Sequence, residues 1–232
     1  GGLVGSEMCI RDSIYSDHPD AISQKDFLSF KEDQTEHFKL LIGHFRFGLH
    51  ERSTSSRKYA AFFRQPVARV ISNYSHIKRN PGNRLHKQIM EQNISLEEFV
   101  SRPEFGIHNN LQVKMIAGNK TSRKKLLETA IRNIETHFAA IGLTERFNES
   151  LILFKKKYRW FYPVYRKKNV NQNKKYQQDV PESVKQVIRE KNSLDIEFYQ
   201  YIKTRFEQEV AQNKWWIKKE LLMLKMFNLW SR

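Results

Sequence analysis

The sequence predicts an α/β fold in three layers, a parallel sheet covered on both faces by helices. Two observations carry the prediction. Apolar runs of strand length stand at 40–42, 59–63 (YAAFF) and 138–143 (FAAIGL), and segments with helical spacing alternate with them. Strand alternating with helix is the pattern of a parallel sheet whose two faces are both buried. The 232 residues fit one domain, or one with an appendage, and 39% hydrophobic content with 16 Phe supplies a core for it.

Taken in order, residues 1–13 (GGLVGSEMCIRDS) have neither helical nor strand period and resemble a translated sequencing adapter, so they are expected to be non-native. Residues 25–38 set Phe27, Leu28, Phe30 and Phe38 among charges, as a helix or helical turn does. The run at 40–42 reads as a short buried strand ending at Gly43 and His44. The run at 59–63 is the next strand, and Pro66 stands at the first helical position, where a fixed φ and a missing N–H cost nothing. That helix extends to about Arg79, where NPGN stops it. Ser95 before LEEFV has the capping-box form, Ser122 opens a long helix, and 138–143 is the third strand with Thr144 capping the helix after it. The stretch 155–176, dense in lysine and aromatics, reads as a basic loop. Pro181 starts a helix through Lys191, and another follows over 194–213. Wound as a helix, the C-terminal segment puts Trp216, Leu222, Met223, Met226, Phe227, Leu229 and Trp230 on about half the wheel. It is expected to pack on the domain or on a second copy, with a membrane-surface helix as the alternative. The domain organisation is thus 1–13 non-native, 14–213 the main domain and 214–232 a C-terminal amphipathic helix.

A formal net charge of +16 points to a polyanionic partner: nucleic acid, anionic lipid, anionic polysaccharide or nucleotide. Cys9 is the only cysteine, which excludes an intrachain disulfide and a cysteine-based zinc site, and no metal is implied. No apolar run approaches the ~20 residues that cross a bilayer. The lone cysteine and the missing anchor favour a cytoplasmic location, although four Asn-x-Ser/Thr triplets, at Asn73, Asn93, Asn119 and Asn148, point the other way.

The turn at Arg64 carries the chemistry. An arginine at the carboxyl end of a parallel strand, just before a helix, lies in the crevice where open α/β sheets bind ligands. The helix N-terminus favours an anion there, and a guanidinium offers two prongs to a phosphate. From Pro66 onward, Val67, Val70, Ile71, Tyr74 and Ile77 make the buried face, while Arg69, Ser72 and His76 fall on the polar side. On spacing alone, Arg64 with an Arg69 and Ser72 stripe converging on one phosphate competes with an ordinary solvated face.

The order R-x-P-x-x-R-x-x-S-x-Y at Arg64, Pro66, Arg69, Ser72 and Tyr74 resembles the 3′-phosphate-binding motif of carbohydrate sulfotransferases, in the group that includes heparan sulfate 2-O-sulfotransferase. GHFRFG (43–48) resembles the segment bearing that family's catalytic histidine. NNLQVKMIAG (109–118) resembles a recurrent internal helix, and AAIGLTERFNESLILF the strand and helix after it. The likeness covers roughly residues 38–210. It implies a P-loop-like nucleotide-binding fold, transfer of a sulfuryl group from 3′-phosphoadenosine 5′-phosphosulfate (PAPS) to a carbohydrate hydroxyl, Arg64 and Ser72 on the 3′-phosphate, His44 as the base, and the basic loop at 166–175 closing over the nucleotide. The acceptor is a carbohydrate, an anionic polysaccharide among the options, and nucleic acid is disfavoured. The family's animal members work in the Golgi lumen. Two departures stand out: Ile42 replaces a second histidine of the 2-O group, and nothing before residue 38 resembles the Lys-Ser/Thr loop that holds the 5′-phosphosulfate. The first strand is therefore expected to be missing, and the chain to be an incomplete fragment. The rival reading is a basic binding module for nucleic acid or anionic polysaccharide, which the charge and the aromatic-rich loop permit. A nucleotide kinase is opposed by the absent Walker sequence.

Overall fold

A computed structural model describes residues 43–52, 57–119, 121–159 and 180–230, together with Ser29. The segment 1–13, the expected strand at 40–42, most of 25–38 and residues 160–176 of the expected basic loop lie outside the described residues, whereas 155–158, read as the start of that loop, are the last turn of a helix. Two strands, β1 (Tyr59–Phe63) and β2 (Phe138–Leu143), pair in parallel, so the chain between them must cross over. The crossover contains α1 (Pro66–Arg79), α2 (His86–Glu91), α3 (Leu96–Ser101), α4 (Leu111–Ala117) and α5 (Leu126–His137). After β2 come α6 (Phe147–Tyr158), α7 (Glu182–Lys191), α8 (Ser193–Gln212) and α9 (Lys214–Trp230). The described architecture is thus mostly helical around a small parallel sheet.

Adjacent strand residues point to opposite faces, and the phenylalanines at the end of β1 use this. The Phe62 ring packs on Phe147 and Phe154 of α6 at 5.2 and 4.9 Å, while Phe63 meets Phe198 of α8 edge-on at 5.5 Å. Helices therefore cover both faces of this sheet. Gly142 in β2 is required by close approach: a Cβ there would lie 2.8 Å from the Ser150 Cβ and 2.9 Å from the Phe62 ring. Ser150, fully buried on α6, accepts from Leu143 N at 2.9 Å and donates to the Arg146 carbonyl at 2.9 Å, pinning α6 to the strand end.

The core has two parts. One surrounds the sheet and takes Phe63, Ile134, Ile141, Phe198, Ile202 and Phe206 from β1, α5, β2 and α8. The other lies beneath α1, α2, α3 and α7 and takes Val70, Tyr74, Ile77, Phe99 and Ile188. Each such side chain, fully buried, contributes about 1.5–3 kcal/mol relative to exposure. The expected apolar face of α1 is the observed one, since Val67, Val70, Ile71, Tyr74 and Ile77 are all buried.

The helix-start signals fared unevenly. Ser95 forms the capping box, accepting from Glu98 N at 3.1 Å while its own N–H donates to the Glu98 carboxylate at 2.8 Å. Ser122 and Thr144 do not cap. Ser122 precedes a one-turn 3-10 segment and Thr144 begins another, where its Oγ1 instead donates to the Phe63 carbonyl at 3.4 Å. The apolar half-wheel read for the C-terminal segment is not the face that enters the core. Trp216 packs against the core, but the residues that enter it, Ile217 and Leu224, lie off that half-wheel, and Leu222 and Met226 on it face outward. Among the described residues no helix is long and apolar enough to cross a membrane.

Candidate functional site

Between β1 and α1 the chain makes a two-residue turn, and its polar backbone atoms are held from outside. Arg64 N donates to Gln112 Oε1 at 2.9 Å, and Gln112 Nε2 donates to Arg64 O at 2.9 Å. Gln65 N donates to Glu145 Oε1 at 2.7 Å, and the Gln65 side chain turns back to accept from Ala68 N at 2.7 Å as the helix cap. With Thr144 on the Phe63 carbonyl, one helix (α4) and the segment after β2 brace this turn from two sides. Satisfied backbone groups cannot compete for whatever the Arg64 side chain meets.

That side chain has capacity left. Arg64 Nη1 is sheltered from solvent and has no hydrogen-bond partner among the described residues. A sheltered, unmatched donor costs roughly 1–3 kcal/mol, and an anion is the group that best removes that cost. The first turn of α1 carries no acidic residue of its own, and the one carboxylate at the positive end of the 14-residue helix comes from outside it, Glu145 on the Gln65 amide. Ser72 stands half-buried two turns along the same helix. The turn thus sets the unmatched guanidinium nitrogen of Arg64 at the start of α1.

Arg69 does not join Arg64 there, contrary to the stripe read from the helical spacing. It is 4% exposed. Its Nη2 donates to the His108 carbonyl at 2.8 Å and to Asn192 Oδ1 at 3.2 Å, and lies 3.7 Å from Asp195 Oδ2. Asp195 in turn accepts from Gln112 N at 3.2 Å and Val113 N at 2.8 Å, capping α4 from α8. Asn110 closes the network, donating its N–H to Asn192 Oδ1 at 2.9 Å and accepting from Asp195 N at 3.0 Å. A buried guanidinium is tolerated only when so partnered, and its partners come from residues that no local pattern connects to position 69.

His44 lies in a bend, exposed, within the segment that docks on the far end of α4. Phe47 N donates to the Met115 carbonyl at 2.9 Å, and Gly118, at φ +80°, admits the Phe47 carbonyl where a Cβ would sit 2.9 Å from it. The same seven-residue helix thus braces both predicted stretches, the Arg64 turn through Gln112 and the segment after His44 through Met115. Sequence reading missed Gln112, whose only trace is its place within NNLQVKMIAG. Behind this segment, Phe47, His50, Tyr59, His137 and Phe138 form an aromatic cluster, with His50 Nδ1 2.8 Å from the Tyr59 hydroxyl and the two imidazoles 4.5 Å apart. Burial, then the neighbouring His137, hold His50 below its ordinary value. On the other flank, Glu145 also accepts from the Tyr199 hydroxyl at 3.1 Å, which burial and that carboxylate push up. The lysines and arginine at 166–175 lie outside the described residues.

Comparison with known proteins gives the same direction. The profile of the galactose-3-O-sulfotransferase family matches residues 20–226. Mouse (Mus musculus) heparan-sulfate 6-O-sulfotransferase 3 is 24% identical over 187 residues, 67% of this chain and 39% of its own. Zebrafish (Danio rerio) heparan-sulfate 6-O-sulfotransferase 2 is 27% identical over 190 residues, 68% and 40% of the two chains. Mouse galactose-3-O-sulfotransferase 3 is 27% identical over 192 residues, 75% and 43%. The chain therefore spans about two fifths of the length of the curated relatives it matches. The resemblance to carbohydrate sulfotransferases holds, whereas its narrowing to the 2-O group has no such support, these relatives being 6-O and galactose-3-O enzymes. The cytoplasmic expectation is overturned: heparan-sulfate and galactose sulfotransferases are Golgi enzymes, and one cysteine without a pairing partner fixes no compartment.

Proposed function

The chain belongs to the galactose-3-O-sulfotransferase family, and we propose that it transfers a sulfuryl group from PAPS to a carbohydrate hydroxyl. The sheltered, unmatched Nη1 of Arg64, on a turn whose backbone is fully engaged, carries the reading. The residues present fit one end of the donor: Arg64 and Ser72 bind its 3′-phosphate at the N-terminus of α1, whose own first turn carries no acid. PAPS supplies the activated sulfuryl group. What the chain contributes is position, charge complementarity and a proton acceptor.

His44 is the acceptor of the proton that leaves the sugar hydroxyl. Imidazole as a class titrates near neutral pH, and such a base is worth about 10² to 10⁴ in rate. A three-layer P-loop-like frame, with β1 and β2 as two of its strands, is the arrangement this reading adopts. The acceptor class follows from the relatives, which act on heparan sulfate and galactose, and the +16 charge suits an anionic polysaccharide.

The test is binding and transfer measured apart. Adenosine 3′,5′-bisphosphate at micromolar concentration should raise Tm, because a ligand of the folded state alone stabilises by mass action. His44→Ala should keep that shift while sulfate transfer from labelled PAPS falls about a hundredfold or more. A protein that responds to heparin or DNA and ignores the nucleotide is a polyanion-binding module, and the proposal fails.

A further inference from the structure

The outward face of α9 has an order that the nucleotide site does not use. Trp215, Leu222 and Met226 are 79%, 62% and 56% exposed. Lys214, Lys218, Lys219 and Lys225 are exposed on the same helix. At about 100° per residue these seven side chains occupy one continuous arc of roughly 140°. Within it the three apolar groups form a central strip, with Lys214, Lys218 and Lys225 along one margin and Lys219 along the other. The single acid of α9, Glu220, is on the opposite face, buried and paired with Lys155 at 2.7 Å. Trp216, one residue on from Trp215, lies inward, beneath Lys156 at 5.2 Å and against the core. The outward face is therefore purely cationic and apolar.

We propose that this face docks on an anionic lipid surface, with Trp215, Leu222 and Met226 entering the headgroup boundary and the flanking lysines reaching lipid phosphates and carboxylates. The arrangement fits this partner better than its rivals. A lysine margin on both sides of an apolar strip lets the aliphatic stems cover the boundary while each ammonium stays in the polar layer. A soluble polysaccharide or nucleic acid would pair with the lysines but would leave Leu222 and Met226 against water. A second copy related by a two-fold would oppose lysine margin to lysine margin, which like-charge repulsion disfavours. A helix about 25 Å long, lying flat, presents the whole strip at once. This contact would hold the enzyme at a membrane surface independently of whether Arg64 binds a nucleotide.

The experiment is co-sedimentation of the chain with phosphatidylcholine vesicles, with and without about 30% phosphatidylserine, at about 0.1 M salt and again at about 0.5 M. Expected is binding to the anionic vesicles alone, weakened at least tenfold by the higher salt. Leu222→Glu, and separately the pair Trp215→Ala with Met226→Ala, should each weaken binding about tenfold or more at unchanged Tm, since these side chains support no core. Vesicle binding left intact by both variants would assign it to lysines elsewhere and overturn the proposal. So would failure to bind anionic vesicles, whether α9 instead binds heparin or instead forms a dimer that Leu222→Glu dissociates.

Discussion

Arg64 and Arg69 are five positions apart in one motif and have opposite duties. Arg64 has a firmly held backbone and an unmatched guanidinium nitrogen, so its side chain adds little to the fold. Replacing it with alanine is expected to leave Tm nearly unchanged, while weakening adenosine bisphosphate binding by about 1.5–3 kcal/mol, the scale of a charge-assisted hydrogen bond. Calorimetry on the folded variant measures this, and unaltered affinity would remove Arg64 from the phosphate site. Arg69 shows where a single sequence misleads at this scale. Its position on the helical wheel is at the edge of the apolar face, which predicts a solvated cation. Its burial is decided by His108, Asn192 and Asp195, all distant in sequence.

At the scale of elements, legibility tracked whether the signal was local. β1, β2, α1 and the Ser95 capping box could be read because apolar runs, a proline and a reciprocal cap act within a few residues. Thr144 has the look of a cap, yet it serves a neighbouring strand, since the chain after β2 tightens into a 3-10 turn before α6 begins. The bracing role of α4 was invisible for the same reason that Arg69 was: Gln112 and Met115 act on segments 48 and 68 positions earlier in the chain. The cluster beneath the His44 segment supplies a pH prediction. His50 has its pKa depressed in the fold by burial and His137, opposed only by Glu51, while Tyr59 contacts its ring. A depressed histidine leaves the unfolded chain binding more protons, so its share of stability is present above the ordinary value of 6.5 and is lost as pH falls below it. His76, also held low by burial and then Arg79, acts in the same direction. Tm should therefore drop between neutral pH and about 5, and His50→Gln should flatten part of that drop. An identical pH profile for the variant would mean that other groups carry it.

On the scale of the whole molecule, the Arg69 network is the seam between the two parts of the core. Arg69 comes from α1, which lies over one apolar cluster, and Asp195 comes from α8, which lies over the other. Asp195 does more than balance the guanidinium, because it also takes the first free amides of α4, the helix that positions the Arg64 turn. Exchanging the buried pair for apolar residues can be neutral in other settings, but here it would orphan the amides of Gln112 and Val113. Asp195→Ala leaves both the amides and the cation short of a partner, and is expected to cost about 3–5 kcal/mol. Arg69→Met should cost less, since Asp195 keeps its two amide donors. Loss of the seam should also uncouple the two clusters. Urea unfolding followed by far-ultraviolet circular dichroism and by tryptophan fluorescence should coincide for the parent chain and separate for Asp195→Ala, with the fluorescence tracking the cluster around the sheet, against which Trp216 packs. Coincident transitions in the variant, or an equal loss for Arg69→Met, would show that the two cores are joined by apolar packing and that the ion pair is incidental to their cooperation.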